Sequence, residues 1–303
     1  MLFQDRTDTE INFQILERKI SEIHSHLGGI PARELGCALQ SGNGLAVVYQ
    51  PQINVSDDQI SAVEALVRWH HPRVGDVPPR VFIPIAEETG QILQITDFVL
   101  REACFLAKRH PELTVAVNLS PTLFTRPILI ERIVRIVANC RTLPRQIEFE
   151  ITEDQPLAGD GSARRSIAFL RESGFRIALD DFGTGYSGLK RLNDIAVDKI
   201  KIDQSFVAGL SCESQGSAQK AIKEMIEVGR AMNLTVTAEG IETKEQREFL
   251  ASVGCDVLQG FFFARPMSAQ ALEEFLQRRP WSTPCGRSLM PFPIQQNRNG
   301  RSN

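Results

Sequence analysis

Carboxylates, side-chain amides and one lysine recur in this sequence at or near the ends of short apolar runs. The runs are residues 45–49, 60–67, 113–117, 147–151, 175–179, 199–202, 234–238 and 257–261. The polar groups at or near their ends are Gln50, Glu64, Asn118, Glu150, Asp180 with Asp181, Lys201 with Asp203, Glu239, and Gln259. A single acid ending a strand is ordinarily a helix cap or a solvated loop residue. Acids on most of the strands call for another explanation. Carboxylates crowded together repel, and some take up protons unless a cation compensates them. The donor set Glu64, Asn118, Glu150, Asp180, Asp181 and Glu239 is all oxygen, which selects Mg²⁺ or Mn²⁺ over a thiolate-seeking metal. That many carboxylates suit two ions roughly 4 Å apart, the arrangement that clamps the attacking and leaving oxygens of a phosphodiester. No histidine ends a strand. His70 and His71 follow Trp69 in an expected turn, and His24, His26 and His110 fall on helical stretches or beside Pro111, so surface or supporting roles are expected of them.

For such scattered residues to meet, the strands must deliver them to one face. The apolar runs are β-branched and in several cases apolar on both sides, as buried parallel strands are. Amphipathic stretches such as 218–232 and 244–251 lie between them. A βαβα alternation with about eight strands predicts an α/β protein with a closed (β/α)₈ barrel of the TIM type, whose strand C-termini share one face. An open doubly wound sheet is the competing architecture, but its G-x-G-x-x-G turn after an early strand is missing. No internal repeat is evident.

Around this core the chain divides into an N-terminal helical extension (1–41), the barrel domain (42–279) and a tail (280–303). In the extension Phe13, Leu16, Ile20, Ile23 and Leu27 recur at spacings of three and four, an apolar stripe too short for a coiled coil. It fits a helix packed on its own domain, with dimerisation or docking of a regulatory partner as the alternative. The tail is rich in Pro, Ser, Asn and Arg and is expected to be poorly ordered.

Composition narrows the classes further. At 42% hydrophobic and 23% charged, the 303 residues are ordinary for a globular protein. Six scattered cysteines without a C-x-x-C pair predict reduced thiols in place of a disulfide framework or a zinc site. A formal net charge of −3 speaks against non-specific binding to DNA. No run reaches the roughly 18 apolar residues of a membrane span, and the acidic start MLFQDRTDTE is unlike a secretory signal. A cytoplasmic location is the expectation.

Several short blocks then carry a resemblance. Glu64-Ala65-Leu66 followed by Val67-Arg68-Trp69 resembles the signature that names the EAL-domain family. The likeness continues through Tyr49-Gln50-Pro51, Phe82-Ile83-Pro84 with Ala86-Glu87-Glu88-Thr89-Gly90, and Val117-Asn118-Leu119-Ser120. It runs on through Glu150-Ile151-Thr152-Glu153, Asp180-Asp181-Phe182-Gly183-Thr184-Gly185-Tyr186-Ser187 and Lys201-Ile202-Asp203. It closes with Ala238-Glu239-Gly240-Ile241-Glu242-Thr243 and Gln259-Gly260, so the ordered set spans about residues 44–276.

The resemblance implies metal-dependent hydrolysis of cyclic di-GMP to linear pGpG. By the same token, Glu64, Asn118, Glu150 and Asp180 would hold one metal, with Asp180 bridging and Asp181 and Glu239 completing the second. Lys201 would orient the attacking water or help to deprotonate it, and Gln259 would hold that water in line. Glu153 and Glu242 would fix the loop and the ligands. Gln50, Leu66, Arg68, Asp203, Glu242 and Gly260 would lie on the substrate side, Arg68 being suited to bidentate contacts with guanine or phosphate. The family's Gly-rich loop, here 181–187, would be mobile and link metal binding to a homodimer interface. Gly188 stands where a serine is often found. Phe261-Phe262-Phe263 is expected in the core, with a stacking role on guanine as the alternative. A catalytically silent nucleotide receptor or protein-interaction module of the same fold is the second reading, and a phosphodiesterase for another nucleotide the third.

Overall fold

The computed structural model describes residues 32–152, 161–185, 192, 194–211 and 215–278. The apolar stripe at 13–27, the tail from 280, Glu153, and Tyr186 and Ser187 of the Gly-rich loop lie outside the described residues.

Nine strands form one sheet: β1 (Leu45–Asn54), β2 (Ile60–His71), β3 (Gly75–Val77), β4 (Thr114–Asn118), β5 (Ile147–Thr152), β6 (Arg176–Phe182), β7 (Lys199–Ile202), β8 (Thr235–Ala238) and β9 (Val257–Leu258). Their order is β1-β9-β8-β7-β6-β5-β4-β2-β3, and a further β1–β2 pairing closes eight of them into a barrel. Strand β3 pairs with β2 alone, outside that ring. The α-helices among the described residues are α1 (Ala32–Ser41), α2 (Pro79–Glu88), α3 (Ile92–Arg109), α4 (Pro127–Asn139), α5 (Ser162–Glu172), α6 (Gln204–Ala208), α7 (Gln215–Ala231), α8 (Lys244–Ser252) and α9 (Ala269–Arg278). The barrel expected from the alternation is thus the fold.

The elements follow from local sequence. In α3, Ile92, Ile95, Thr96, Val99, Leu100, Ala103, Leu106 and Ala107 are buried, the three-and-four spacing of one helical face. Helix α2 begins with Pro79 in its first turn, where the missing N–H costs nothing. Helix α8 opens on a reciprocal cap in which Thr243 accepts from the Gln246 backbone N–H and Gln246 accepts from the Thr243 N–H. The barrel strands have both faces buried, as in Val115, Ala116 and Val117 of β4, because helices cover the outside. Trp69 of β2 meets Phe82 of α2 edge-on at 5.7 Å and locks that helix to the strand.

The structure corrects four details. Strand β1 runs antiparallel to both neighbours, β2 and β9, whereas the other barrel pairings are parallel. Gln50 and Glu64 therefore stand mid-strand, opposite one another in the β1–β2 register, and do not end strands. His70 and His71 belong to β2 and not to a turn, since pairing with β3 extends the strand past Trp69. His71 is buried against Trp69 and bonded to Glu34 at 2.5 Å. The last apolar run yields only the two-residue β9, and Phe261 is 46% exposed, its ring beneath the Arg265 guanidinium at 4.2 Å. Among the described residues no helix is long and apolar enough to cross a membrane.

Candidate active site

Alternation along the strands decides which side chains enter the barrel. Glu64 of β2, Glu150 of β5, Asp180 of β6 and Lys201 of β7 all point to its axis, and Glu239 follows β8 on the same side. The Lys201 side chain is fully buried and its Nζ stands 2.7 Å from Glu150 Oε2, 2.7 Å from Glu239 Oε1, 3.1 Å from Asp180 Oδ1 and 3.9 Å from Glu64 Oε2. Glu64 is held from two further sides. Asn118 Nδ2 donates to its Oε1 at 2.8 Å and Gln259 Nε2 to its Oε2 at 2.6 Å. The structure thus brings together Glu64, Asn118, Glu150, Asp180, Lys201, Glu239 and Gln259.

Asp180 and Asp181 occupy an irregular stretch where the β6–β7 register shifts between Leu179 and Phe182. In a regular strand, consecutive side chains face opposite ways. Across this break Asp180 reaches Lys201, and Asp181, at φ +55°, lies on the wall of the adjoining cavity. Aspartate is among the few residues that tolerate this left-handed backbone.

Charge in this cluster is unbalanced, four carboxylates against one ammonium. Burial alone would push the Lys201 ammonium down, but Asp180, Glu150, Glu239 and Glu64 together hold it well above its ordinary value. Burial raises Glu64 as well, yet Lys201 and the hydrogen bonds from Gln259 and Asn118 outweigh it and leave this carboxyl lowered. Glu150 goes the other way. Burial and the charges of Glu64, Asp180 and Glu239 lift it well above the carboxylate range despite Lys201. Glu239 is pushed up to about 8 by burial, Asp180 and Glu64, again against Lys201. Glu150 Oε1 is buried with no donor to it. An all-oxygen cluster with surplus negative charge and an unserved carboxylate oxygen fits hard divalent cations in donor type and charge. The cage is not preformed, however. Among the described residues no three acidic, histidine or cysteine side chains stand close enough together to hold an ion. A cation would have to draw the carboxylates away from Lys201.

The cluster opens into a cavity of about 770 Å³ lined by Glu64, Leu66, Arg68, Asn118, Glu150 and Asp181, among others. Two residues expected on the substrate side, Leu66 and Arg68, therefore face the space a ligand would fill. The partly buried Arg68 guanidinium donates to its neighbouring Val67 carbonyl at 2.9 Å. Gln50 lies beside Gln259, accepting from its Nε2 at 3.2 Å.

Other expected residues have placements that need no ligand. Asp203 caps α6, accepting from the Ser205 backbone N–H at 3.0 Å. Glu242 is exposed, and its backbone N–H donates to Gln246. A Cβ on Gly260 would lie 2.1 Å from the Ile241 carbonyl oxygen, so close packing alone demands glycine there. The reading missed Gln52, Glu148 and Lys199, buried polar residues one layer below the cluster. Their signal is in the sequence: each stands two positions from a predicted site residue on the same strand, at Gln50, Glu150 and Lys201.

Comparison with known proteins adds an independent finding. A family model described as the EAL domain matches residues 32–266. The chain is 40% identical over 246 residues to the oxygen sensor protein DosP of Escherichia coli, covering 78% of this chain and 30% of DosP. It is 36% identical over 233 residues to the bifunctional diguanylate cyclase/cyclic di-GMP phosphodiesterase MucR of Pseudomonas aeruginosa, covering 75% of this chain and 34% of MucR. The chain thus spans about a third of the length of these two curated relatives. Among solved structures, the MucR phosphodiesterase in complex with c-di-GMP superposes with a TM-score of 0.72 at 34% identity, covering 78% of this chain and 96% of that one. The FimX EAL domain of Pseudomonas aeruginosa bound to c-di-GMP gives a TM-score of 0.71 at 25% identity, covering 78% and 95%.

Proposed function

The chain belongs to the EAL domain family, and we propose that it hydrolyses cyclic di-GMP to linear pGpG in a reaction that needs Mg²⁺ or Mn²⁺. One observation carries this reading: four carboxylates and a buried lysine converge where a cavity of nucleotide size opens. The naming of a relative as a cyclic di-GMP phosphodiesterase, and of structural neighbours as c-di-GMP complexes, supports the substrate.

Glu64, Asn118, Glu150 and Asp180 would hold one ion, and Asp180, Asp181 and Glu239 the second. When bound, the ions supply a water that ionises near neutral pH and neutralise charge on the phosphoryl oxygens. The chain's own groups do the rest. Lys201, placed among these carboxylates, is suited to steady negative charge and to orient the water or help deprotonate it. The Gln259 amide is aimed at the same place and would keep that water in line. Arg68, Gln50 and Leu66 would seat the guanine and phosphate groups, with Asp203 and Gly260 at the edge of the substrate. Glu153 and Glu242 would steady the loop beside the ligands.

The test is incubation of purified protein with cyclic di-GMP and Mg²⁺ or Mn²⁺, followed by separation of substrate from pGpG. Turnover that vanishes in excess chelator and in Glu64→Ala is the expected result. Binding without turnover would instead support a silent receptor, a reading favoured by the ammonium that sits among the proposed ligands.

A further inference from the structure

Beneath the carboxylate cluster the barrel holds a second polar layer. Glu148 precedes Glu150 by two on β5, Lys199 precedes Lys201 by two on β7, and Gln52 follows Gln50 by two on the reversed β1. The period-two spacing points all three inward. Lys199 Nζ lies 2.6 Å from Glu148 Oε1 and 3.4 Å from Gln52 Oε1. Gln52 is fully buried, and its Nε2 donates to Gln259 Oε1 at 2.9 Å. Gln259 Nε2 in turn donates to Glu64 Oε2 at 2.6 Å and Gln50 Oε1 at 3.2 Å, and Gln50 Nε2 donates to the Ala264 carbonyl at 3.2 Å.

This hydrogen-bond chain has a single direction. An ammonium only donates, so Gln52 must turn its oxygen to Lys199 and its NH₂ to Gln259. Gln259 then receives on its oxygen and presents its NH₂ upward, into the carboxylate layer. At the far ends stand a carboxylate and a carbonyl, which only accept. A buried ion pair is weak evidence for stability, because well-packed apolar residues of similar volume often serve as well. Its placement under Gln259 points to another role.

We propose that Gln52, backed by the Lys199–Glu148 ion pair, is a positioning residue that fixes the Gln259 amide with its N–H groups toward the reacting centre. The proposal rests on the reading that Gln259 serves hydrolysis. Glu64 also grips this amide, but Glu64 is a proposed cation ligand whose oxygens are contested, and Gln52 meets no such competition. Loss of a partner that orients a site residue typically costs about 10–100-fold in activity.

The experiment compares wild type with Gln52→Met and with the double variant Glu148→Met/Lys199→Met, which removes both charges together. Gln52→Met is expected to lower kcat at least about tenfold with KM within about twofold and a cooperative melt retained. In ¹⁵N-edited NMR of the cation-free protein, the Gln259 side-chain NH₂ signal, identified by its loss in Gln259→Met, is expected to be protected from exchange in wild type. It is expected to shift and lose protection in both variants. An unprotected Gln259 amide in wild type overturns the proposal without any variant having to fold. So does an unmoved signal, or a kcat within twofold of wild type, in Gln52→Met. If wild type shows no turnover, the hydrolase reading fails, and the NMR signal still decides this one.

Discussion

Without the ammonium of Lys201, Glu64, Glu150, Asp180 and Glu239 would face one another in a buried space with nothing to offset them. Removing one partner of a buried charged cluster typically costs about 3–5 kcal/mol. Lys201→Met is therefore expected to lower the unfolding free energy of the cation-free protein by about that amount in urea titrations, and to abolish turnover. Mn²⁺ should restore part of the stability and none of the activity. Protons offer the cluster the same relief as cations. The Glu239 carboxyl is raised from its ordinary 4.5 to about 8, so its neutral form is the one the fold prefers. That contribution is complete below the ordinary carboxylate range and is lost as pH rises through about 8. The cation-free protein is expected to melt at a lower temperature at about pH 9 than at about pH 6. Mg²⁺ should raise the melting temperature more at the higher pH, because it replaces protons already lost. A larger Mg²⁺ effect at about pH 6 would contradict the protonation assigned to Glu239.

The elements that carry these residues show where sequence reading succeeds and where it stops. Val257 and Leu258 end the barrel, and Gln259 is positioned by the two backbone bonds that follow: Gln259 N–H to Ala238 and Ile241 N–H back to Gln259, at 2.9 and 3.1 Å. Gly260 makes that crossing possible, since any side chain would enter the Ile241 backbone. Gly260→Ala is expected to cost about 1–3 kcal/mol by overpacking and to depress turnover further than that loss of stability explains, by tilting Gln259. Thermal melts set beside kcat would check this, and unchanged kinetics would leave the glycine a packing role alone. The eight runs and most of the cluster were legible because apolar stretches punctuated by acids are local signals. The direction of β1 was not, since a two-residue period reads the same both ways. The Lys199–Glu148–Gln52 layer was legible in principle, two positions from Lys201, Glu150 and Gln50. It escaped because attention to strand ends discards what lies inside. Asp203 and Gly260 show the reverse: a cap and a close contact account for them before any substrate does.

At the scale of the whole molecule, helix α1 meets the barrel on the strand that carries part of the site. Helix α1 buries Leu35, accepts the Gln91 side-chain amide on its Ala32 carbonyl at 2.9 Å, and extends Glu34 to both His71 and Arg73. His71 ends β2, the strand that also carries Glu64 and Arg68. Helix α1 therefore touches the strand that bears a proposed metal ligand and a proposed substrate contact. The chain spans about a third of the length of DosP and MucR. The stripe Phe13, Leu16, Ile20, Ile23 and Leu27 stands before α1 in the sequence. If the stripe joins two copies, deletion of residues 1–27 is expected to halve the mass in sedimentation equilibrium and to lower turnover while the melt of the barrel persists. An unchanged mass and rate would return the stripe to packing. A changed rate at constant mass would show that α1 signals to β2 without a second copy.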